Sequence, residues 1–486
     1  MLFNSPEYLF FLPLVTLLYF NVSRRDRWMV LLGSSYFFYM NWRIAYIGLI
    51  IASTLLDFHA AQGIERASTQ RARRVWLGTS LAGNLGLLCL FKYYNFLVDS
   101  LNATLALGGA DLRMPQSSLL LPVGISFYTF QTLAYTIDVY RGRLKAEKRP
   151  GVFALYVAFF PQLVAGPIER AQSLMPQFDI RTRFDPNRAV SGLQQILWGF
   201  FKKMIVADNL AQAVDIVYAA PGEFAGPSLA LATVLFAFQI FCDFSGYSDI
   251  ACGSARVLGF DLMKNFDRPY SSRSVAEFWR RWHISLSTWF RDYVYIPLGG
   301  NRCGTQRRMF NLFVVFVASG LWHGANWTFL IWGCLHFVFC AMGELTRETR
   351  TRLALLTGLA KTPTLRDALQ IAVTFALVCF AWVFFRAQSP ADAWLIVTGL
   401  PTGWTDVTAW ISLRDRLLLD APFEIAAGVF GILIMETYHW LETSGDVFEK
   451  LAQKPRALRW ATYYALTASI LLIGSFGERQ FLYFQF

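Results

Sequence analysis

Long apolar runs, each closed by a short cluster of basic residues, recur along the whole chain. A helix needs about 20 mainly apolar residues to cross the hydrocarbon core of a bilayer. Stretches approaching that length lie at roughly 7–22, 28–42, 44–60, 75–98, 119–139, 151–168, 189–210, 227–245, 308–328, 329–345, 367–386, 424–441 and 459–476. Several are short or interrupted, so the pattern predicts an all-α polytopic membrane protein with about eleven spans, the remainder being re-entrant or interfacial helices. Arg24, Arg25 and Arg27 follow the first run; Arg66, Arg71, Arg73 and Arg74 follow the third; Arg141, Arg143, Lys145, Lys148 and Arg149 follow the fifth. Clusters two spans apart share a side, and the positive-inside rule makes that side cytoplasmic, with the N-terminus outside. No internal repeat of the kind that marks many secondary transporters is evident.

The pattern changes between Phe260 and Met309, where no long apolar run exists and basic residues outnumber acidic ones. "VAEFWRRWHISLSTWFR" nevertheless has helical periodicity. At about 100° per residue, Val275, Phe278, Trp279, Trp282, Leu286, Trp289 and Phe290 fall on one arc, and Glu277, Arg280, Arg281, Ser287, Thr288 and Arg291 on the other. Ile284 intrudes on the polar arc, and His283 lies at the boundary. One continuous amphipathic helix is expected, either lying on the membrane surface or lining a protein-buried cavity. Pro297 and the pair Gly299–Gly300 then impose a turn. The organisation expected is a single integral membrane domain over 1–486, with N-terminal helices (1–118), a motif-bearing core (119–345) and C-terminal helices (346–486).

Composition agrees with this class. Of 486 residues, 55% are hydrophobic, 16% aromatic and 16% charged, against about 25% charged in soluble proteins, and the mean hydropathy is +0.38. The net charge of +11 is dispersed between apolar runs rather than gathered in a stripe, which argues against a nucleic-acid partner. The seven cysteines form no CxxC or histidine-rich pattern, so buried thiols and no metal are expected. "MLFNSPEYLF" lacks the basic n-region of a cleavable signal peptide, so the first run is expected to stay as a membrane helix. No GxSxG elbow, HExxH or Walker glycine loop occurs.

Five histidines remain to be placed. His323 sits in "SGLWHGANWTFLIWG", inside an apolar run, where a polar side chain is costly and usually faces a cavity or partner. Asn326, three residues on, falls on roughly the same helical face and can hydrogen-bond an imidazole or an acyl oxygen; Gly320 and Gly324 let backbone or substrate approach closely. His323 is therefore either a proton-transfer group or a satisfied interhelical hydrogen bond. His59, beside Asp57, His336 and His439, near Glu436, read as packing or interfacial residues. A second polar cluster, "FCDFSGYSDIACG", carries Asp243, Ser245, Tyr247, Ser248 and Asp249; it suits a site or ion path and helix packing equally.

"FCDFSGYSDIACGSARVLGF", "FWRRWHISLSTWFRDYVYIPLGGNR" and "GLWHGANWTFLIWGCLHFVF" together resemble the membrane-bound O-acyltransferase family, and more narrowly its bacterial alginate O-acetyltransferase branch. "LPVGISFYTFQTLAYTIDVYRG" and "FFPQLVAGPIER" match that branch upstream, and the likeness is densest from Leu121 to Phe339. The resemblance implies a ring of membrane helices around a thinned centre crossed by a tunnel. It places the family's intramembrane histidine, regarded as catalytic, on His323 and the second characteristic polar position on His283. It further implies transfer of acetyl groups from a cytoplasmic donor, acetyl-CoA, toward an exported polysaccharide such as alginate or cellulose at the bacterial inner membrane, with no bound cofactor. The partners implied are a periplasmic serine-hydrolase-like (SGNH-type) enzyme and the polymer synthase and export machinery. Relatives that acetylate peptidoglycan or transfer D-alanine to teichoic acid are alternatives, and a solute channel or a scaffold is the alternative outside catalysis. On this reading His323 is the base, and His283 or Asn326 orients the acyl group or stabilises the oxyanion. Trp279, Trp282, Trp289 and Trp322 wall a dry tunnel, with Asp243 in support. Arg280, Arg281 and Arg291 attract either donor phosphates or phospholipid headgroups.

Overall fold

A computed structural model describes residues 1–109, 113–164, 166–180, 183–477 and 479–482; Ala165 of "FFPQLVAGPIER" lies outside the described residues. Among these every regular element is helical. The helices used below are α1 (Pro6–Asn21), α2 (Ile47–Arg66), α3 (Gln70–Leu88), α4 (Ile125–Tyr140), α5 (Gly226–Val257), α6 (Val275–Arg281), α7 (Ile284–Phe290), α8 (Thr305–His323), α9 (Trp327–Leu345), α10 (Arg347–Leu356) and α11 (Pro363–Arg386).

Among the described residues, five helical stretches are long and apolar enough to cross a membrane: Ile44–Arg66, Gln70–Leu107, Gly226–Val257, Trp327–Leu345 and Pro363–Arg386. A sixth is reached if Val407–Leu418 and Pro422–Glu442, bent by 87°, form one broken span. This makes a multi-pass membrane protein; the other apolar runs, which the expectation of about eleven spans also counted, include several that fold into shorter or broken helices. α1 and α4 have 16 residues each, short for a bilayer crossed by about 20. The run expected at 151–168 stops at Ala158 and resumes as the single turn Phe160–Leu163; Pro161 has no N–H to bond the carbonyl four residues back and its ring clashes there, so the helix restarts with the proline in its first turn.

The chain groups into two compact units, Met1–Ile196 with Ile250–Met263, and Leu197–Asp249 with Lys264–Phe486. In the first, α2, α3 and α4 meet around a buried carboxylate. Asp57 is fully buried and accepts from Ser80 Oγ at 2.5 Å, from Asn84 Nδ2 at 2.8 and 2.9 Å and from Thr136 Oγ1 at 3.4 Å. Asn84 Oδ1 in turn accepts from Ser53 Oγ at 2.8 Å. Buried polar groups are costly unless every member finds a partner, so this network bolts the three helices in one register.

In the second unit, a π-helical turn at Phe201–Ala207 displaces the ladder by one residue and carries two lysines into the core. Lys203 Nζ lies 2.7 Å from both Asp208 and Asp243. Lys202 pairs with Asp249 and donates to Ser245 Oγ at 3.0 Å. Asp243 also accepts from the backbone N–H of Leu482 at 2.9 Å. The acidic cluster of "FCDFSGYSDIACG" is thus neutralised by lysines and ties helices together.

α8 and α9 form an antiparallel hairpin with its tip at Gly324–Asn326. A methyl group at Gly320 would lie 2.3 Å from the carbonyl oxygen of Phe329, and one at Gly333 would lie 2.4 Å from that of Phe316. The two backbones therefore touch, as small residues permit in membrane helix pairs. Arg308 and Glu344 pair at the hairpin base.

Asp57→Leu strands the donors of Ser80 and Asn84 and is expected to cost about 3 kcal/mol. Thermal unfolding of detergent-solubilised protein should show the lower midpoint, with Asp57→Asn between the variant and the parent.

Candidate active site

α6 begins where Ser274 Oγ accepts from the N–H of Glu277 at 3.1 Å, while the Glu277 carboxylate reaches back to the N–H of Arg273 at 3.0 Å. This is capping-box chemistry, displaced by one residue at its return bond. The helix does not run on as the periodicity predicts. It stops at Arg281, and a second short helix, α7, starts at Ile284. Between them His283 holds φ 43°, ψ 55°, a left-handed conformation that costs a non-glycine residue about 1–2 kcal/mol.

The partner that stabilises this break is Asn265, in the loop before α6. Its backbone carbonyl accepts from the N–H of Ile284 at 2.9 Å. Its side-chain Oδ1 accepts from the N–H of Ser285 at 3.2 Å and from Ser285 Oγ at 2.9 Å. His283 Nδ1 lies 3.2 Å from the same oxygen, and Asn265 Nδ2 donates to Ser248 Oγ at 3.3 Å. The backbone donor of Ser285 fixes which end of the amide is oxygen. Ser285 Oγ lies 3.4 Å from His283 Nδ1; the shorter contact of that nitrogen is to an oxygen that cannot donate, which favours a proton on Nδ1 of His283 and a lone pair on Nε2. The break also moves His283 from the expected boundary of an amphipathic surface to full burial, which lowers its pKa to about 3 and keeps it neutral near pH 7.

His323 is the last residue of α8 and is buried. Its ring centroid is 6.4 Å from that of His283. Trp322 stands edge-on to both, at 5.7 Å from His283 and 5.0 Å from His323. Trp332 and Phe385 complete the His323 side at 5.0 and 5.3 Å, and Phe244 of α5 packs on His283 at 4.7 Å. Two imidazoles thus share one aromatic enclosure, where water is scarce and a proton transfer is shielded from bulk solvent.

Other expected site residues lie around this pair in different capacities. Asn326 is not one turn further along the helix of His323, because α8 ends there and Gly324 is extended. Asn326 caps α9: its Oδ1 accepts from the N–H of Thr328 at 3.1 Å, and its Nδ2 donates to the carbonyl of Gln388 at 3.0 Å. Trp282 packs on Trp382 at 5.1 Å and on Phe278 at 5.4 Å. Trp279 donates to His336 Nδ1 at 3.2 Å, and Trp289 packs on Tyr293 at 5.1 Å. Asp243 belongs to the lysine cluster described above, one residue before Phe244.

A cavity of about 720 Å³ opens beside α6, α7 and α8. Ser319 and Phe316 are among its lining residues; Ser319 precedes His323 by one helical turn, about 6 Å along the axis. Arg280, Arg291 and Arg308 line the same cavity. Arg291 is paired with Asp292 at 2.7 Å, and Arg280 has no ion pair among the described residues. Arg281, expected beside them, pairs with Glu277 at 2.7 Å and is not a lining residue. No group of three metal-ligating side chains occurs among the described residues.

Sequence reasoning missed Asn265, Trp332, Phe385 and the two buried lysines. A signal existed for the lysines, since paired charges inside "WGFFKKMIVAD" demand buried partners. For Asn265 there was none, because its partners are 18 and 20 residues away.

Residues 152–385 match the membrane-bound O-acyltransferase family, MBOAT. The chain is 42% identical over 441 residues to "Probable alginate O-acetylase AlgI" of Azotobacter vinelandii, covering 89% of this chain and 85% of that protein. It is 33% identical over 434 residues to the peptidoglycan O-acetyltransferase of Helicobacter pylori, covering 82% and 80%. It is 30% identical over 291 residues to the teichoic acid D-alanyltransferase of Streptococcus thermophilus, covering 55% and 69%.

Asn265→Ala removes the acceptor that fixes the His283 proton. Nitrogen NMR of histidine-labelled protein should show the Nδ1–H tautomer in the parent and in Asn265→Asp, and both tautomers in Asn265→Ala.

Proposed function

This chain belongs to the membrane-bound O-acyltransferase family, and we propose that it takes acetyl groups from acetyl-CoA and transfers them for O-acetylation of an exported polysaccharide. The observation that carries the reading is the buried His283–His323 pair, one helical turn beyond a cavity that holds Arg280, Arg291 and Arg308. The breadth of the match to alginate O-acetylases supports a polysaccharide such as alginate or cellulose as the final acceptor. The teichoic acid D-alanyltransferase match covers much less of the chain, and peptidoglycan is the acceptor suggested by a more distant relative. The basic loops favour an inner-membrane orientation with the N-terminus outside.

The chemistry follows from what each side chain can do. His323 takes the proton from the acceptor hydroxyl as its oxygen attacks the thioester carbonyl. The tetrahedral intermediate collapses, the carbon–sulfur bond breaks, and the leaving thiolate recovers the proton from the His323 imidazolium. The acceptor is then an acetyl ester and the donor is free coenzyme A thiol. His283, donating its Nδ1–H to Asn265, offers a lone pair at Nε2. The one proton of the incoming hydroxyl goes to His323, so His283 shapes the enclosure beside it and, with no proton on Nε2, does not donate to an oxyanion. Asn326 has both ends of its amide engaged at the α9 cap.

The oxyanion donor in this reading is Trp332. Its ring is fully buried, packs on His323 at 5.0 Å, and its indole N–H has no hydrogen-bond partner among the described residues. A buried donor left without a partner is costly, and a developing negative charge on the acyl oxygen would satisfy it. Trp282 and Trp382 also carry unpartnered indole N–H groups, but of the three Trp332 packs directly on His323. Arg280 and Arg291 attract the donor phosphates at the mouth. A periplasmic SGNH-type enzyme would receive the acetyl group and complete its transfer to the polymer.

His323→Ala is expected to lower polymer O-acetylation at least about 100-fold while the protein accumulates normally in the membrane. Acetyl release from purified polymer measures this; unchanged release would sink the catalytic reading in favour of a channel or scaffold. Trp332→Phe deletes the N–H and keeps the ring. It is expected to lower kcat about 100-fold at unchanged KM, and an unaltered kcat would remove Trp332 from the oxyanion role.

A further inference from the structure

A second cavity, of about 710 Å³, lies between α9, α10 and α11 and shares no lining residue with the first. Its walls include Val338 and Met342 of α9 and Leu369 and Val373 of α11, all four of them exposed. Both helices are candidate membrane spans, so this apolar surface faces lipid rather than water. From Arg366 to Leu377 the groove follows α11 for about 16 Å, close to the roughly 15 Å depth of one hydrocarbon leaflet.

One end of the groove is basic. Arg273, Arg350 and Arg366 line it together. Asp367 accepts from Arg273 at 3.2 Å and from Arg366 at 3.3 Å. Glu277 lies 3.6 Å from Arg273 and is also held by Arg281. Arg350 has no carboxylate partner among the described residues and donates only to the backbone carbonyl of Gly343, at 2.5 Å. Three guanidinium groups thus face one fully shared carboxylate and part of another. Arg273 precedes α6 and Arg366 opens α11; the segment between α9 and α11 that carries Arg350, with Arg347, Arg352 and Lys361 alongside, is basic in the manner of a cytoplasmic loop.

The geometry points to a specific site for an anionic two-chain phospholipid of the cytoplasmic leaflet. Its phosphate and headgroup would sit on Arg273, Arg350 and Arg366, and its chains would lie along Met342, Val338, Val373 and Leu377. Basic pockets between membrane helices recognise anionic headgroups in this way, and the planar guanidinium fork suits a phosphate. The proposal rests on the membrane-spanning fold and not on the acyl-transfer chemistry.

Native mass spectrometry tests it on the full chain in detergent mixed with equal amounts of palmitoyl-oleoyl phosphatidylglycerol and palmitoyl-oleoyl phosphatidylcholine. One phosphatidylglycerol should be retained per protein, preferred about tenfold. Combined Arg273→Gln, Arg350→Gln and Arg366→Gln should abolish the preference. The pair Arg347→Gln and Arg352→Gln, on the same α10 but outside the groove, should keep it. Val373→Trp fills the groove without removing a charge and should lose the adduct. Equal retention of the two lipids by the parent, the same loss in the Arg347/Arg352 pair, or full retention by Val373→Trp would each overturn the site.

Discussion

The arrangement of the site depends on one side-chain oxygen. Asn265 Oδ1 gathers the N–H and hydroxyl of Ser285 and the Nδ1 proton of His283, while its backbone carbonyl takes the N–H of Ile284. A helix broken inside a protein leaves backbone donors that water would otherwise satisfy. Asn265 supplies those acceptors from outside the helix, and so the chain tolerates a left-handed histidine where the sequence pattern calls for continuous helix. The same bonds favour one tautomer of His283, so the local fold and the state of the imidazole depend on the same residue.

Buried polarity is handled by two different means elsewhere. In the first unit Asp57 is surrounded by neutral donors from α2, α3 and α4. In the second, Lys202 and Lys203 are matched with carboxylates on α5 and beside the π-helical turn. Neither arrangement touches the histidine pair directly, yet the lysine cluster fixes α5 at Asp243, and the next residue, Phe244, is the wall of His283. The charged cluster acts on the site by placement.

Much of this was legible in the sequence, and the limit has a physical cause. Apolar run length gave the membrane class, and the isolation of His323 in a hydrophobic run singled it out correctly as a buried residue at the centre of the motif. The 3.6-residue period identified the aromatic face of α6 and α7, whose members are buried or partly so. Periodicity assumes an unbroken helix, however, and it failed at Trp282–His283 and again at Gly324. There the bonds that end the helix come from residues distant in sequence or from a cap. The same assumption placed Asn326 on the face of His323 and Arg281 beside Arg280, and both side chains have other partners.

The contact between Gly320 and the Phe329 carbonyl fixes how such an enzyme can be re-engineered. With backbone against backbone and only three residues at the tip, the α8–α9 hairpin has no slack to part around a bulkier acyl group without carrying His323 away with it. Room for a longer chain therefore has to be carved from the removable aromatic walls, Trp322 and Phe385. On the proposed acyl-transfer reading, acyl-length selectivity would be a property of replaceable side chains, set against a rigid strut that holds His323 in place.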